Sequence, residues 1–273
     1  MPVLAAEQIG IQTPPPLSKA ALPGFHERRF FRPFLAKRMN LRRVAGGVLS
    51  FLLLFAMLAC QARSRWDEYL SNGAKAYEQR RYSEAEQWLQ DALREAERFR
   101  PNDSRLATTL DDLAEVYRAQ GKFAEAAPLY ERSMAIREKA VGPEHSDLVG
   151  TLNGLADLYR AQGKFAEAEP LYRRALTILE QKHGRGHPEV GASLESLADL
   201  YQAEGKFAEA EPLYRRSLAV WERVLGREHP HVATSLEKYA LLLRSMNREA
   251  EAAAMETRAK AIRARLPRAT PPK

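Results

Sequence analysis

The 273-residue chain has one cysteine, Cys60, and that scarcity removes whole classes of chemistry. No intramolecular disulfide can form and no cysteine cluster can hold zinc or iron. Glycine and proline number 15 and 16, too few for a collagenous or mostly low-complexity chain. Three catalytic signatures are absent: the glycine-rich G-x-x-x-x-G-K-[S/T] phosphate loop, the H-E-x-x-H metal pair and the G-x-S-x-G elbow. An excess of one charge sign is also missing from the body of the chain. The net charge is +7, but residues 1–63 hold nine Lys/Arg against two Asp/Glu, and residues 64–265 hold 31 against 33. A face that grips phosphates needs its cations in the folded body, so no nucleic-acid partner is expected. No cofactor and no small-molecule substrate are expected either.

Long apolar runs are lacking except for one, the uncharged stretch 44–62, preceded by Lys37, Arg38, Arg42 and Arg43. Residues 1–38, with Pro14, Pro15 and Pro16 and no sustained period, read as a disordered basic leader, which would lie upstream of the true start if translation begins at Met39. Residues 39–63 then admit two readings. One is a cleaved signal resembling that of a bacterial lipoprotein, with Cys60 as the lipidation candidate; Leu58 departs from the small residue usual two positions before the cysteine. The other is an uncleaved apolar helix, since nineteen uncharged residues just span ~30 Å of hydrocarbon. Both place the remainder across a membrane, because the flanking positive charge is heavier in front.

What the chain has in abundance is self-similarity. GKFAEAAPLYERSM (121–134), GKFAEAEPLYRRAL (163–176) and GKFAEAEPLYRRSL (205–218) recur every 42 residues. Leu113, Ala114 and Tyr117 return as Leu155, Ala156 and Tyr159, then as Leu197, Ala198 and Tyr201. A fixed period of this length marks stacked supersecondary units. Leu110, Leu113, Ala114 and Tyr117 form one apolar helical stripe, and Phe123, Ala126 and Tyr130 form a second. Gly121, Gly163 and Gly205 separate the stripes as turns. The linkers VGPEHSD (141–147), HGRGHPE (183–189) and LGREHPH (225–231) stop one helix and start the next. Pro128, Pro170 and Pro212 fall inside the second helix, where a proline normally costs ~3 kcal/mol, so a tolerated kink near the helix start is expected.

Leu-Ala-x-x-Tyr, then Gly, then aromatic-x-x-Ala-x-x-x-Tyr resembles the tetratricopeptide repeat, with Leu110, Leu152 and Leu194 where that family usually has Trp. The 42-residue period, His-Pro linkers and GKFAEAEPLY wording resemble the kinesin light chain subtype, which is also widespread in bacteria. Two degraded units flank the three full ones: Arg80 and Asn247 stand where the turn glycine belongs, and charged Glu249 and Glu256 suit an outermost unit. The expected fold is all-α, a right-handed superhelical solenoid of about five antiparallel helix pairs (units about 66–99, 107–141, 149–183, 191–225 and 233–265) behind one apolar N-terminal helix. The tail 266–273 is expected to be coil.

The resemblance implies that the first helix of each pair lines a concave groove. Its polar face carries Thr108, Asp111, Glu115 and Arg118. The next units place Gly150, Asn153, Asp157 and Arg160, then Ala192, Glu195, Asp199 and Gln202, then Thr234, Glu237, Leu241 and Arg244. Spacings of 3, 4 and 3 hold each set on one face. Stacking would align Asp111, Asn153, Glu195 and Glu237 beside Glu115, Asp157 and Asp199 as an acidic stripe, suited to a protein or peptide partner with basic residues. Local pairing, as of Asp157 with Arg160, is the competing role. His183, His187, His229 and His231 read as linker structure, since equivalent residues of a solenoid do not converge on a metal ion.

The function expected is a non-catalytic interaction scaffold in the bacterial cell envelope, anchored through residues 44–62 with the repeats on the periplasmic or outer side. The alternatives are a cytoplasmic adaptor resembling kinesin light chains and a metal-dependent hydrolase built on the linker histidines.

Overall fold

A computed structural model describes residues 65–265, which form ten helices and no strand. The expectations for residues 1–38, for the segment 39–63 with Cys60, and for the tail 266–273 lie outside the described residues. Among the described residues no helix is long and apolar enough to cross a membrane.

Helix α1 covers residues 65–78 and is followed by α2 (Tyr82–Ala96), α3 (Ser104–Ala119), α4 (Phe123–Val141) and α5 (Leu148–Ala161). Next come α6 (Phe165–His183), α7 (Pro188–Glu204), α8 (Phe207–Leu225), α9 (Pro230–Ser245) and α10 (Glu249–Arg265). Each of α3 to α10 packs on the helix before it, and α3 also touches α5. α1 meets α2 through Gly73, which leaves room for the Leu89 side chain, and through Tyr69 stacked on Trp88.

The turn inside every pair is the same hydrogen-bonded device. Lys122, Lys164 and Lys206 donate their backbone N–H to the carbonyls of Tyr117, Tyr159 and Tyr201 at 2.8, 2.9 and 2.8 Å. The glycine before each donates to the carbonyl three residues back. This is the Schellman arrangement, which needs a left-handed residue at that glycine. Gly121, Gly163 and Gly205 supply it with φ of +74°, +71° and +82°. The flanking units make the identical bonds, Arg81 to Ala76 and Arg248 to Leu243, around Arg80 and Asn247 at φ +57° and +60°.

Between pairs, helices end at Gly142, Gly184 and Gly226, all at positive φ, and restart under histidine caps. His187 Nδ1 accepts from the Glu189 N–H and His229 Nδ1 from the His231 N–H, each ahead of a proline at the first helical position. That cap starts α7 at Pro188 and α9 at Pro230, three residues ahead of the unit starts expected from the apolar stripes. His145 makes the equivalent contact to the Asp147 N–H before α5.

The core alternates large and small side chains. Leu110, Leu152, Leu194 and Leu236 are fully buried, as are Ala114, Ala156, Ala198 and Ala240, which let adjacent helices approach closely. Tyr130, Tyr172 and Tyr214 cross from the second helix of each pair into the same layer. The recurring prolines lie inside α4, α6 and α8 on the exposed side. The carbonyls they leave without a donor belong to exposed Ala124, Ala166 and Ala208 and can turn to water, which lowers the cost of each proline.

Candidate functional site: the face of the first helices

The first helices are joined side by side through the residues expected to line the groove. Thr151 on α5 donates to Asp111 on α3 at 2.8 Å, and Lys238 on α9 reaches Asp199 on α7 at 2.8 Å. Ser235 on α9 donates to Glu195 on α7. The face is therefore joined at the α3–α5 and α7–α9 junctions, and its carboxylates are not bare.

Three of them end a recurring tyrosine contact. Tyr130 donates to Glu115 at 3.0 Å, Tyr172 to Asp157 at 2.5 Å, and Tyr214 to Asp199, each from fifteen residues downstream. Burial first, and the facing carboxylate next, push the phenols of these tyrosines well above their ordinary range. Glu115 also accepts from Arg118 and from Tyr77 on α1, and these bonds hold its carboxyl below the ordinary range although burial alone would raise it. Asp157 pairs with Arg160 at 3.1 Å. Asp111 pairs with Arg137 at 2.9 Å, Glu237 with Arg263 at 2.7 Å, and Arg244 with Glu256 at 2.9 Å.

Glu195 departs most from the expectation. It is 7% exposed and held by Ser217, Trp221 and Ser235, so it is an internal polar anchor rather than a contact surface. The Gln202 carboxamide lies 2.9 Å from the same Tyr214 hydroxyl. The continuous acidic stripe is thus largely paired from within: Asp111, Glu115, Asp157, Asp199 and Glu237 each meet a Lys or Arg of the chain.

Three cavities open between successive first helices, and a further one of about 680 Å³ lies between the α2–α3 linker and the end of α4, against Pro101 and Lys139. A cavity of about 430 Å³ opens between α5 and α7, lined by Gly150, Asn153, Ser193 and Ser196 among others. Asn153 Oδ1 and Ser193 Oγ are buried with no hydrogen-bond partner in the protein. Another, of about 380 Å³, lies between α7 and α9 beside Gln202, Phe207 and Leu241, and Leu241 is 54% exposed. A third, of about 190 Å³, lies at the α1–α3 end against Tyr77, Leu89, Asp112 and Glu115. Burial, then repulsion from Asp111, pushes the Asp112 carboxyl up to about 6.

Sequence reasoning missed the tyrosine contacts, although an acid followed fifteen residues later by Tyr, repeated every 42, was there to be read. It also missed the convergence of His183 and His187 with Glu189, whose ligand atoms lie within 4.8 Å of one another. Equivalent positions of different units do not converge, but these three residues belong to one junction between α6 and α7.

Tetratricopeptide repeat family models match residues 106–147, 147–219 and 189–265. No curated protein sequence matches the chain. Among solved structures, a Podosopora anserina protein designated a kinesin light chain, with nearly identical TPR-like repeats, is 27% identical. That likeness covers 77% of this chain and 98% of the other, with a TM-score of 0.65. BtubC (BKLC) from P. vanneervenii is 21% identical over 88% of this chain and 98% of its own, with a TM-score of 0.68. A Rap protein complexed with competence and sporulation factor shares the fold at 15% identity and a TM-score of 0.58, over 72% of this chain and 54% of its own. With residues 106–265 matched unit after unit and the helix pairs stacked as these relatives stack theirs, the chain belongs to the tetratricopeptide repeat family.

Proposed function

We propose that this protein is a non-catalytic scaffold that holds a protein or peptide partner along the face of its first helices. The observation that carries the reading is the placement of the cavities: three open between successive first helices, and one contains buried polar atoms that the chain itself leaves without partners. An extended or helical segment is the shape that fits a row of openings between stacked helices. A Rap protein of this fold is complexed with competence and sporulation factor.

The partner's charge preference is narrower than a full acidic stripe. Asp111, Glu115, Asp157, Asp199 and Glu237 have internal cations or hydroxyls, so a basic side chain gains most at the α1–α3 end, beside Asp112. At the α7–α9 end the exposed Leu241 calls for an apolar side chain.

The scaffold would be tethered through residues 44–62 in a bacterial envelope, a reading that rests on the sequence alone. A second reading is a soluble intracellular adaptor resembling kinesin light chains. Fractionation of the native host with globomycin, which blocks lipoprotein processing, separates the two.

The groove is tested by Leu241→Arg with Gln202→Arg in a crosslinking pull-down. Both side chains reach the α7–α9 cavity and Leu241 is not part of the core. Loss of the wild-type partners with an unchanged thermal transition is expected; an unchanged partner set would refute the groove reading.

A further inference from the structure

In an array of near-copies, the positions that break the period show what one junction has that the others lack. At the end of the second helix, Val141 and Leu225 occupy the position that His183 occupies at the end of α6. Past the linker, Asp147 and His231 occupy the position of Glu189. A histidine just before the next helix is common to all three linkers, as His145, His187 and His229, and it caps the helix at His187 and His229. The middle linker alone therefore holds an imidazole on either side of its turn together with a carboxylate.

The structure brings these three together. The His183 and His187 rings stack at 4.3 Å with 18° between their planes. Glu189 Oε2 lies 3.4 Å from His183 Nε2 and 3.7 Å from His187 Nδ1. Ligand atoms each ~2.0–2.2 Å from a tetrahedral zinc ion sit roughly 3.4 Å from one another, so small rotations of the exposed side chains would close them on an ion. His187 Nδ1 is also the cap acceptor, at 3.4 Å against 3.1 Å for His229, and its lone pair is the more weakly held of the two.

A second observation is independent of the cluster. His183 and Glu189 also line the α5–α7 cavity, together with Ser193, 2% exposed, whose Oγ has no partner in the protein. Lys182 shares that lining and opposes a cation, but its ammonium is turned to Ser146.

We propose that the 183–189 junction binds one divalent transition-metal ion of the zinc class. The ligands are His183, His187 and Glu189, and the fourth position opens towards the α5–α7 cavity. Two imidazoles and one carboxylate suit zinc, cobalt or nickel and not magnesium or calcium, which prefer all-oxygen shells. The ion would tie the last residue of α6 to the first turn of α7 and so stiffen the stack between two neighbouring pairs. The site does not depend on the groove having a partner.

The test is titration of the full chain with zinc chloride and with magnesium chloride, followed by calorimetry and thermal unfolding, and with cobalt followed by visible absorption. One equivalent of zinc is expected to bind and to raise the transition, magnesium to do neither, and cobalt to give the intense bands of a tetrahedral site. His183→Val installs the residue the first linker already carries and leaves the cap intact. It should weaken binding by about tenfold or more, a loss that even outer-shell changes can produce. Glu189→Gln should do the same, and His145→Ala should bind as the wild type does. Equal zinc affinity in His183→Val, or no zinc-dependent shift of the wild type at millimolar zinc, would overturn the proposal.

Discussion

The Tyr172 hydroxyl, carried into the core by α6, donates to Asp157 on α5 at 2.5 Å, and equivalent bonds join Tyr130 to Glu115 and Tyr214 to Asp199. Each bond closes a helix pair from inside and gives a half-buried carboxylate a donor. Tyr172→Phe keeps the ring and removes only the donor. It should cost ~1–3 kcal/mol, about the worth of a hydrogen bond to a charged group, while Asp157 keeps its pairing with Arg160. Tyr159→Phe, whose hydroxyl reaches exposed Glu131 at 3.2 Å, should cost under ~0.5 kcal/mol. Urea unfolding of the two variants makes the comparison.

The left-handed turn residues give a prediction in the opposite direction. Arg80 holds φ +57° at a position where three other turns use glycine. A side chain there costs ~1–2 kcal/mol, part of which glycine returns as unfolded-state entropy. Arg80→Gly should therefore raise stability by up to about 1 kcal/mol, and Asn247→Gly by less, because asparagine tolerates this region. A lowered melting temperature for Arg80→Gly would count against the turn.

Two glycines of the same helix should respond with opposite signs. A Cβ on Gly154 would stand 2.6 Å from the Tyr130 ring, whereas one on Gly150 meets nothing within 4 Å. Gly150→Ala should gain up to ~1 kcal/mol from helix propensity. Gly154→Ala should lose ~1–3 kcal/mol by overpacking and should loosen the Tyr130–Glu115 bond. Thermal unfolding of both variants decides it.

Asp112 provides the pH dependence. Its carboxyl is raised to about 6 from an ordinary value of 3.8, first by burial and then by Asp111. Between about pH 4 and 6 the folded chain holds a proton that the unfolded chain has released. Stability from this group is complete below pH 4 and is lost as the pH rises through 6. At pH 7 Asp112→Asn should be more stable than the wild type by ~1–3 kcal/mol, and the difference should vanish below pH 4. A variant advantage that persists at pH 3.5 would contradict this assignment.

Much of the fold was legible because its determinants are local. Gly121, Gly163 and Gly205 announce their turns, and Leu152 and Ala156 announce a buried stripe by spacing alone. The substitutions at Arg80 and Asn247 could be located because the surrounding apolar pattern persists. The groove was harder, because exposure is a property of neighbouring pairs. Glu195 and Asp157 look alike in sequence, yet Trp221 and Ser235 close over the first while Arg160 leaves the second half-exposed. The start of α7 was displaced for a similar reason: the apolar stripe begins at Val190, whereas the helix begins under the His187 cap.

The central claim is that partners meet the first-helix face, and site-specific photocrosslinking in the native host tests it most directly. A photoreactive residue at Leu241 or Arg160 should form a covalent adduct with a partner protein. The same residue at Glu209, exposed in the first turn of α8, should form none. Adducts from Glu209 in the absence of any from Leu241 and Arg160 would place binding on the opposite surface and contradict the account.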